Sequence, residues 1–359
     1  MNVEREPVLI LGCGGFLGSH LVEALLSRKH HSVIGVDLFS KKISHLLDNP
    51  AFEYHESDLT QPSSIDDLMR RTSTVINMAA ICNPAVYNTR PLDVIDINFT
   101  HVVPIVRACA DTGKRLVHFS TCEVYGKTLA GFAPVGSEFR EDAHNVVLSE
   151  DTSPLILGPV HRQRWTYSCA KQLLERVIYA EGKSHALAFT IVRPFNVIGS
   201  RMDYIPGVDG EGIPRVIPSF MKALLFGEPL TLVDGGRNRR SFIYVDDFTD
   251  AVLRILNMPD KSNGQIFNVG SAKSETTIAE LAHTMRDIFS NLTGRTSKSD
   301  IINVSSEQFY GEGYDDCDRR VPDISKAAEL LDWFPTTSLR ELLNKTIAWY
   351  IAEYGDRRS

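Results

Sequence analysis

What most constrains this chain is a glycine-rich turn set between an apolar run and an amphipathic stretch. Val8-Leu9-Ile10-Leu11 reads as a short buried strand, Gly12-Cys13-Gly14-Gly15-Phe16-Leu17-Gly18 as the turn, and residues 17–26 as a helix behind it. Glycines at such a place permit a tight turn and bring backbone N–H groups close to a pyrophosphate, which the helix N-terminus stabilises. Asp37 closes the next apolar run, Val33-Ile34-Gly35-Val36. A carboxylate there accepts hydrogen bonds from ribose hydroxyls and repels a 2′-phosphate. Turn and aspartate together predict a dinucleotide site that takes NAD rather than NADP, with Lys41 and Lys42 pulling the other way.

Strand-like runs recur at 52–55, 74–78, 115–119 and 189–193, most of them separated by helical stretches. This alternation predicts an α/β fold with a Rossmann-type doubly wound parallel sheet. Beyond residue 200 the texture changes. Residues 201–218 are rich in glycine and proline and read as loops over a cleft, 240–270 return to strand and helix, and 275–292 and 338–354 read as helices. The expected division is an NAD-binding domain of residues 1–200 to which 240–270 return. Residues 201–239 and 271–359 would form mainly a smaller, mixed α/β substrate domain.

The 359 residues carry 38 basic and 45 acidic side chains, a net charge of −7 that argues against a nucleic-acid or membrane-surface partner. No run approaches the ~20 apolar residues needed to cross a bilayer, and residues 1–7 are too short and charged for a signal peptide. Cysteines 13, 82, 109, 122, 169 and 317 form no Cys-x-x-Cys pair and no metal-ligand spacing, so no metal is expected. Their mostly apolar surroundings suit a reducing cytoplasm.

Tyr167 and Lys171 stand one helical turn apart in Tyr-Ser-Cys-Ala-Lys, at the head of a helix-like run. A lysine cation beside a phenol stabilises the phenolate, bringing a group of pKa ~10 towards working pH. Such a tyrosine takes the proton of a sugar hydroxyl while hydride leaves for a nicotinamide. Ser120-Thr121-Cys122, directly after a predicted strand, belongs to the same constellation, with Thr121 placed to position the sugar.

Gly12, Gly15 and Gly18, the Tyr167/Lys171 pair and Arg193-Pro194-Phe195-Asn196 resemble the extended short-chain dehydrogenase/reductase family, the NAD-dependent epimerases and dehydratases. Arg164-Trp165-Thr166-Tyr167 and Phe309-Tyr310-Gly311-Glu312-Gly313-Tyr314 resemble its UDP-glucuronate decarboxylases. Ala79-Ala80-Ile81-Cys82-Asn83-Pro84, Ser120-Thr121-Cys122-Glu123-Val124-Tyr125-Gly126, Arg201-Met202-Asp203 and Tyr314-Asp315-Asp316-Cys317-Asp318-Arg319-Arg320 resemble the UDP-apiose/UDP-xylose synthases. With the spans between them, the resemblance covers nearly the whole chain.

The resemblance implies a UDP-sugar substrate, an NAD cofactor and a homodimer. Oxidation of UDP-glucuronate at C4 makes a β-keto acid, which loses carbon dioxide without a metal. Arg320, matching the family's essential arginine, would hold the carboxylate in a bidentate pair, with Arg164 in the same pocket. Glu123 would relay the C5 proton if burial raises its pKa. Simple decarboxylases generally carry a hydroxyl where Cys122 stands. Cys82 and Cys122 both match the apiose-synthase positions, and thiols there would serve the added proton transfers of ring contraction. Cys13 and Cys169 read as packing. Expected cofactor contacts are Gly12, Gly15, Phe16, Leu17, Gly18, Asp37, Asp58, Leu59 and Ala79, with Tyr167 and Lys171. Expected substrate contacts are Asn196, Arg201, Arg215 and Arg240, with Tyr314 and Asp316. A decarboxylase yielding UDP-xylose or a 4-keto pentose is the rival reading, followed by a UDP-glucuronate 4-epimerase and a non-catalytic NAD sensor.

Overall fold

In a computed structural model of the chain, the structure describes residues 7–28, 31–60, 65–134, 136–210, 215–297, 299–310 and 315–355. Strands β1 (Val8–Leu11), β2 (Val33–Asp37), β3 (Phe52–Glu56), β4 (Thr74–Asn77) and β5 (Arg115–Phe119) are followed by the two-residue β6 (Val147–Leu148) and by β7 (Phe189–Pro194). Later come β8 (Val197–Ile198), β9 (Leu230–Val233), β10 (Arg239–Ser241), β11 (Ile243–Tyr244), β12 (Gln265–Val269), β13 (Glu275–Thr277), β14 (Ile301–Val304) and β15 (Arg319–Pro322). The longer helices are α1 (Phe16–Ser27), α2 (Val102–Thr112), α3 (Thr166–His185), α4 (Val216–Phe226), α5 (Val245–Asn257), α6 (Ile278–Thr293) and α7 (Leu339–Tyr354).

The large sheet runs β12-β7-β5-β4-β1-β2-β3, every pairing parallel. Its central strands are apolar on both faces because helices cover both, as a doubly wound sheet requires. Ile10 packs with Leu21, Val22 and Leu25 of α1 and with Phe248 and Val252 of α5. Leu9 and Leu11 face the opposite core, with Val106 of α2 and with Leu174 and Ile178 of α3. Strand order reverses between β1 and β4, and ligands of such sheets bind in the crevice beyond the strand ends at that reversal.

A smaller mixed sheet, β13-β10-β15-β6, pairs β10 antiparallel with β13 and parallel with β15. The expected helix at 275–292 starts three residues later, after β13. Its start is set by a capping box, Thr277 Oγ1 accepting from Glu280 N (3.1 Å) and Glu280 accepting from Thr277 N (3.0 Å). The loop reading of 201–218 ends early as well, since α4 begins at Val216. Among the described residues no helix is long and apolar enough to cross a membrane.

Candidate active site

The turn after β1 is shaped by close backbone approaches. Gly12 has φ +90°, and a Cβ on it would lie 2.6 Å from Ala79 N; one on Gly18 would lie 2.1 Å from Gly12 O. Gly14 is the tightest of the motif, its Cβ falling 1.7 Å from Phe39 O, yet the spacing rule that singles out Gly12, Gly15 and Gly18 passes over it. Gly15 is different. It is exposed, a Cβ there would meet only Gly12 O at 3.4 Å, and it caps α1 with no side-chain acceptor. That leaves the amide end of α1, where Phe16 and Leu17 begin the helix, open to an anionic group.

Asp37 accepts from Gly14 N (2.9 Å) and Phe39 N (3.2 Å), while burial raises its pKa above the usual carboxylate value. Each of its oxygens has a second lone pair for a ribose hydroxyl. Lys41 pairs with Asp209 (3.5 Å) and Lys42 donates to Met202 O (3.1 Å), so both lysines are engaged with the 202–209 segment. Asp58 accepts from Thr60 N, Leu59 packs partly into the core that holds Leu9 and Leu11, and Ala79 backs the turn. An open helix start, a walled turn and a ribose acceptor fit NAD.

Tyr167 and Lys171 both lie on the buried face of α3, 5% and 1% exposed. Lys171 Nζ donates to Phe119 O (3.0 Å), and burial lowers its pKa to about 8. Tyr167 stacks on Tyr87, ring centroids 5.1 Å apart at 13°. The expected depression of the Tyr167 phenol is not found. Burial raises it well above the ordinary value, Cys82, Glu123 and Cys122 add to the rise, and the Thr121 hydroxyl opposes it. Desolvation wins here because the phenol sits in a dry aromatic and sulfur-lined setting.

Beside it lies a buried charge cluster. Arg164, 4% exposed and so no surface arginine, donates to both oxygens of Glu123 (2.7 and 3.1 Å) and lies over the Tyr87 ring. Asp316 receives Arg240 at 2.6 Å, and Arg164 and Arg320 each at 3.5 Å. Burial alone would raise the Asp316 and Glu123 carboxyls. The guanidinium groups outweigh it, holding Asp316 far below the carboxylate range and Glu123 below its usual value. The condition attached to Glu123, that burial raise its pKa, is therefore not met in this form. Arg320 is 2% exposed, and its Nε and one terminal nitrogen have no hydrogen-bond acceptor among the described residues. Its charge partners include the Cys317 and Cys122 sulfurs. Cys122 is buried, and burial raises its thiol pKa against the pull of Arg320.

Cys82 is exposed and lines a cavity of about 110 Å³ with Asn83, Asp203, Tyr204 and Arg215. It is near enough to Tyr167 and Lys171 to act electrostatically on both. The structure thus brings the two thiols to the Tyr167 phenol from separate elements. Arg215 is held by Asp203 through two 2.8 Å hydrogen bonds.

The other expected substrate contacts scatter. Arg240 belongs to the Asp316 cluster. Asn196 donates its amide to Ser241 O (2.8 Å) and takes φ +28°. Arg201 binds Glu23 (2.6 Å) and His20 (3.0 Å) of α1, away from the other arginines' partners. Tyr314 lies outside the described residues. Cys13 is packed as expected, but Cys169 is exposed on α3, because the fourth residue of the helix faces away from the sheet.

Sequence reasoning passed over Tyr87, which sits far along the chain from the Tyr167 ring it stacks on, and Asp203, which holds Arg215 across a glycine- and proline-rich stretch. It also passed over the buried pair of Glu175 with Arg193 (2.9 and 2.6 Å) on the inner face of α3. Only the i, i+4 spacing of Lys171 and Glu175 hinted at that pair.

Residues 8–270 match the family model described as "NAD dependent epimerase/dehydratase family". The chain is 47% identical over 363 residues to UDP-D-apiose/UDP-D-xylose synthase 2 of Arabidopsis thaliana, covering 99% of this chain and 93% of that protein. It is 48% identical over 359 residues to UDP-D-apiose/UDP-D-xylose synthase of Oryza sativa subsp. japonica, covering 97% and 90%. Among solved structures, the PbgP3 protein from Burkholderia pseudomallei superposes with a TM-score of 0.83 at 30% identity, covering 99% of this chain and 98% of that one. The nucleotide cradle, the sheet order and these matches agree, and the chain belongs to the NAD-dependent epimerase/dehydratase family.

Proposed function

We propose that the protein is an NAD-dependent UDP-apiose/UDP-xylose synthase. It oxidises UDP-glucuronate at C4, releases carbon dioxide, and partitions the keto sugar between ring contraction and reduction. The observation that carries this reading is Arg320. A buried guanidinium whose Nε has no acceptor among the described residues, and whose second orphaned nitrogen has only Asp316 at 3.5 Å, beside Tyr167's neighbours Cys122 and Glu123, calls for an anionic ligand group. The hexuronate carboxylate supplies one, and the near-full-length likeness to the plant synthases supports the same substrate.

NAD, which the Gly12–Gly18 turn, the start of α1 and Asp37 would hold, would supply the hydride acceptor for C4 oxidation and the donor for the closing reduction. Tyr167 Oη takes the C4 hydroxyl proton, with the Lys171 ammonium opposing the rise that burial gives the phenol and Thr121 orienting the sugar. The C4 ketone then accepts the electron pair left by carbon dioxide. Arg320 holds the carboxylate until that bond breaks, and Arg164 fixes Glu123 beside C5. Cys82 and Cys122 flank the sugar to move protons among its hydroxyls during the retro-aldol and aldol steps. Arg215 and Arg240 offer charge to the diphosphate, with Asn196 beside Arg240's strand shaping that end of the site.

We assign residues 1–200 and 240–270 to the NAD lobe, and 201–239 with 271–359 mainly to the UDP-sugar lobe. The working unit is a homodimer, supported by apolar side chains left exposed on and beside α3. Six unpaired cysteines favour the cytoplasm, which cell fractionation would check. One observation favours a plain decarboxylase instead: burial raises the Cys122 thiol, which makes it a poorer proton carrier.

The chemistry is tested with carboxyl-labelled UDP-glucuronate and NAD⁺. Tyr167→Phe should lower label release by more than about tenfold, a barrier change above ~1.4 kcal/mol, with NAD⁺ affinity nearly unchanged. Retained release within that limit would assign the first proton transfer to another group.

A further inference from the structure

Asn77 ends β4 and His118 lies next to the end of β5. They are register partners, and Asn77 Nδ2 lies 3.3 Å from His118 Nδ1. Strand alternation puts both on the face that carries Val75 and Leu116, which pack against Leu174 and Ile178 of α3. Lys171 belongs to that same buried face of α3 and donates to Phe119 O, the residue after His118. His118 is completely buried and Asn77 1% exposed, yet Asn77 Oδ1 and His118 Nε2 have no hydrogen-bond partner among the described residues.

Reversing the amide and the ring tautomer does not remove the problem. With Nδ2 donating, the two unmet atoms are an Nε2–H donor and a carbonyl acceptor. With the amide turned, they are an NH₂ donor and a ring-nitrogen acceptor. Either way one donor and one acceptor are left over, which is what a bridging water satisfies, and interior waters usually make about three hydrogen bonds. Lys171, whose charge acts on His118, has N–H groups to spare for a third partner, since its ammonium has three and Phe119 O takes only one. Burial first, and the Lys171 charge second, keep His118 neutral, so it acts as a fixed donor and acceptor.

We propose that a buried water links Asn77, His118 and Lys171, and that His118 is a positioning residue holding the lysine charged beneath Tyr167. The role in turnover rests on the reading of Tyr167 and Lys171 as the acid–base pair; the water itself does not. Cys82 and Glu175 also favour the lysine charge, and Glu175 is already held by Arg193.

The test titrates the Lys171 ammonium by ¹⁵N-lysine NMR in the whole chain, with the resonance assigned by its loss in Lys171→Met. His118→Leu should lower the Lys171 midpoint by about one pH unit, and His118→Gln, which keeps a donor and an acceptor, should restore it to within ~0.3. The alkaline limb of carbon dioxide release should move to lower pH by the same amount. Asn77→Leu, which removes the other anchor, should act as His118→Leu does and serves if that variant fails to fold. An unmoved lysine midpoint in the leucine variants overturns the proposal. So does a high-resolution crystal structure of the unaltered protein with no water between Asn77 and His118. No carbon dioxide release at any pH would instead remove the reading of the activity and leave the NMR result standing.

Discussion

At Glu123 a single carboxylate meets two guanidinium groups, and the sign of its pKa shift follows from which partner is nearest. From sequence, a glutamate beside a buried strand end is expected to rise. The structure reverses this because Arg164, 41 residues along the chain, bonds both oxygens, with Arg320 behind it. No local pattern encodes that meeting. Breaking such a pair strands one charge in a dry site, so Glu123→Gln should cost about 3–5 kcal/mol of folding stability near pH 7. The folded pKa lies below the ordinary 4.5. The carboxylate's contribution is thus complete above that value and lost as pH falls through the folded pKa. Denaturant melts should therefore show the gap between the two proteins narrowing as pH drops below about 4.5; a gap unchanged on acidification contradicts the assignment. Tyr167 gives the complementary lesson. Its position was legible in the Tyr-x-x-x-Lys spacing, but its pKa depends on Tyr87, Cys82 and Cys122, which come from other elements.

Helix α3 works on two faces. Inward, Lys171, Leu174 and Ile178 bury against the sheet. Outward, Cys169, Leu173, Arg176 and Ala180 form an exposed stripe at helical spacing, and Leu92 and Ile95 are exposed on the neighbouring helix Pro91–Ile95. Leu92 is 72% and Leu173 50% exposed, apolar surface that a second copy of the chain would cover. Light scattering should give the mass of two chains, and Leu173→Asp should shift it towards one; a monomeric unaltered protein would sink the homodimer. The helix itself was legible from periodicity, whereas the exposure of Cys169 was not, since a motif cysteine looks the same facing in or out. Strand β6 was invisible for another reason. Val147–Leu148 is a strand only because Val321 and Pro322 of β15 pair with it, and two residues carry no period of their own.

Across the whole molecule, the segment 200–209 ties α1 and the stretch after β2, which flank the cofactor turn, to the cavity at Cys82. Arg201 anchors it to Glu23, Lys42 bonds Met202 O, and Lys41 pairs with Asp209, while Asp203 reaches Arg215 beside Cys82. The doubly wound sheet was legible because each strand announces itself locally and parallel order follows from the alternation with helices. The 200–209 segment was legible only as a loop, because its contacts run to residues more than a hundred positions away. We propose that this assembly both decarboxylates and rearranges its sugar, with the thiols serving the second task. The most direct measurement is NMR identification of the products formed from UDP-glucuronate and NAD⁺ by the unaltered protein and by Cys122→Ser, each checked for folding. The first should give carbon dioxide with both UDP-apiose and UDP-xylose, and the second a lower share of the branched sugar. Straight-chain UDP-pentose alone from the unaltered protein, or a product still carrying its carboxylate, would contradict the proposal.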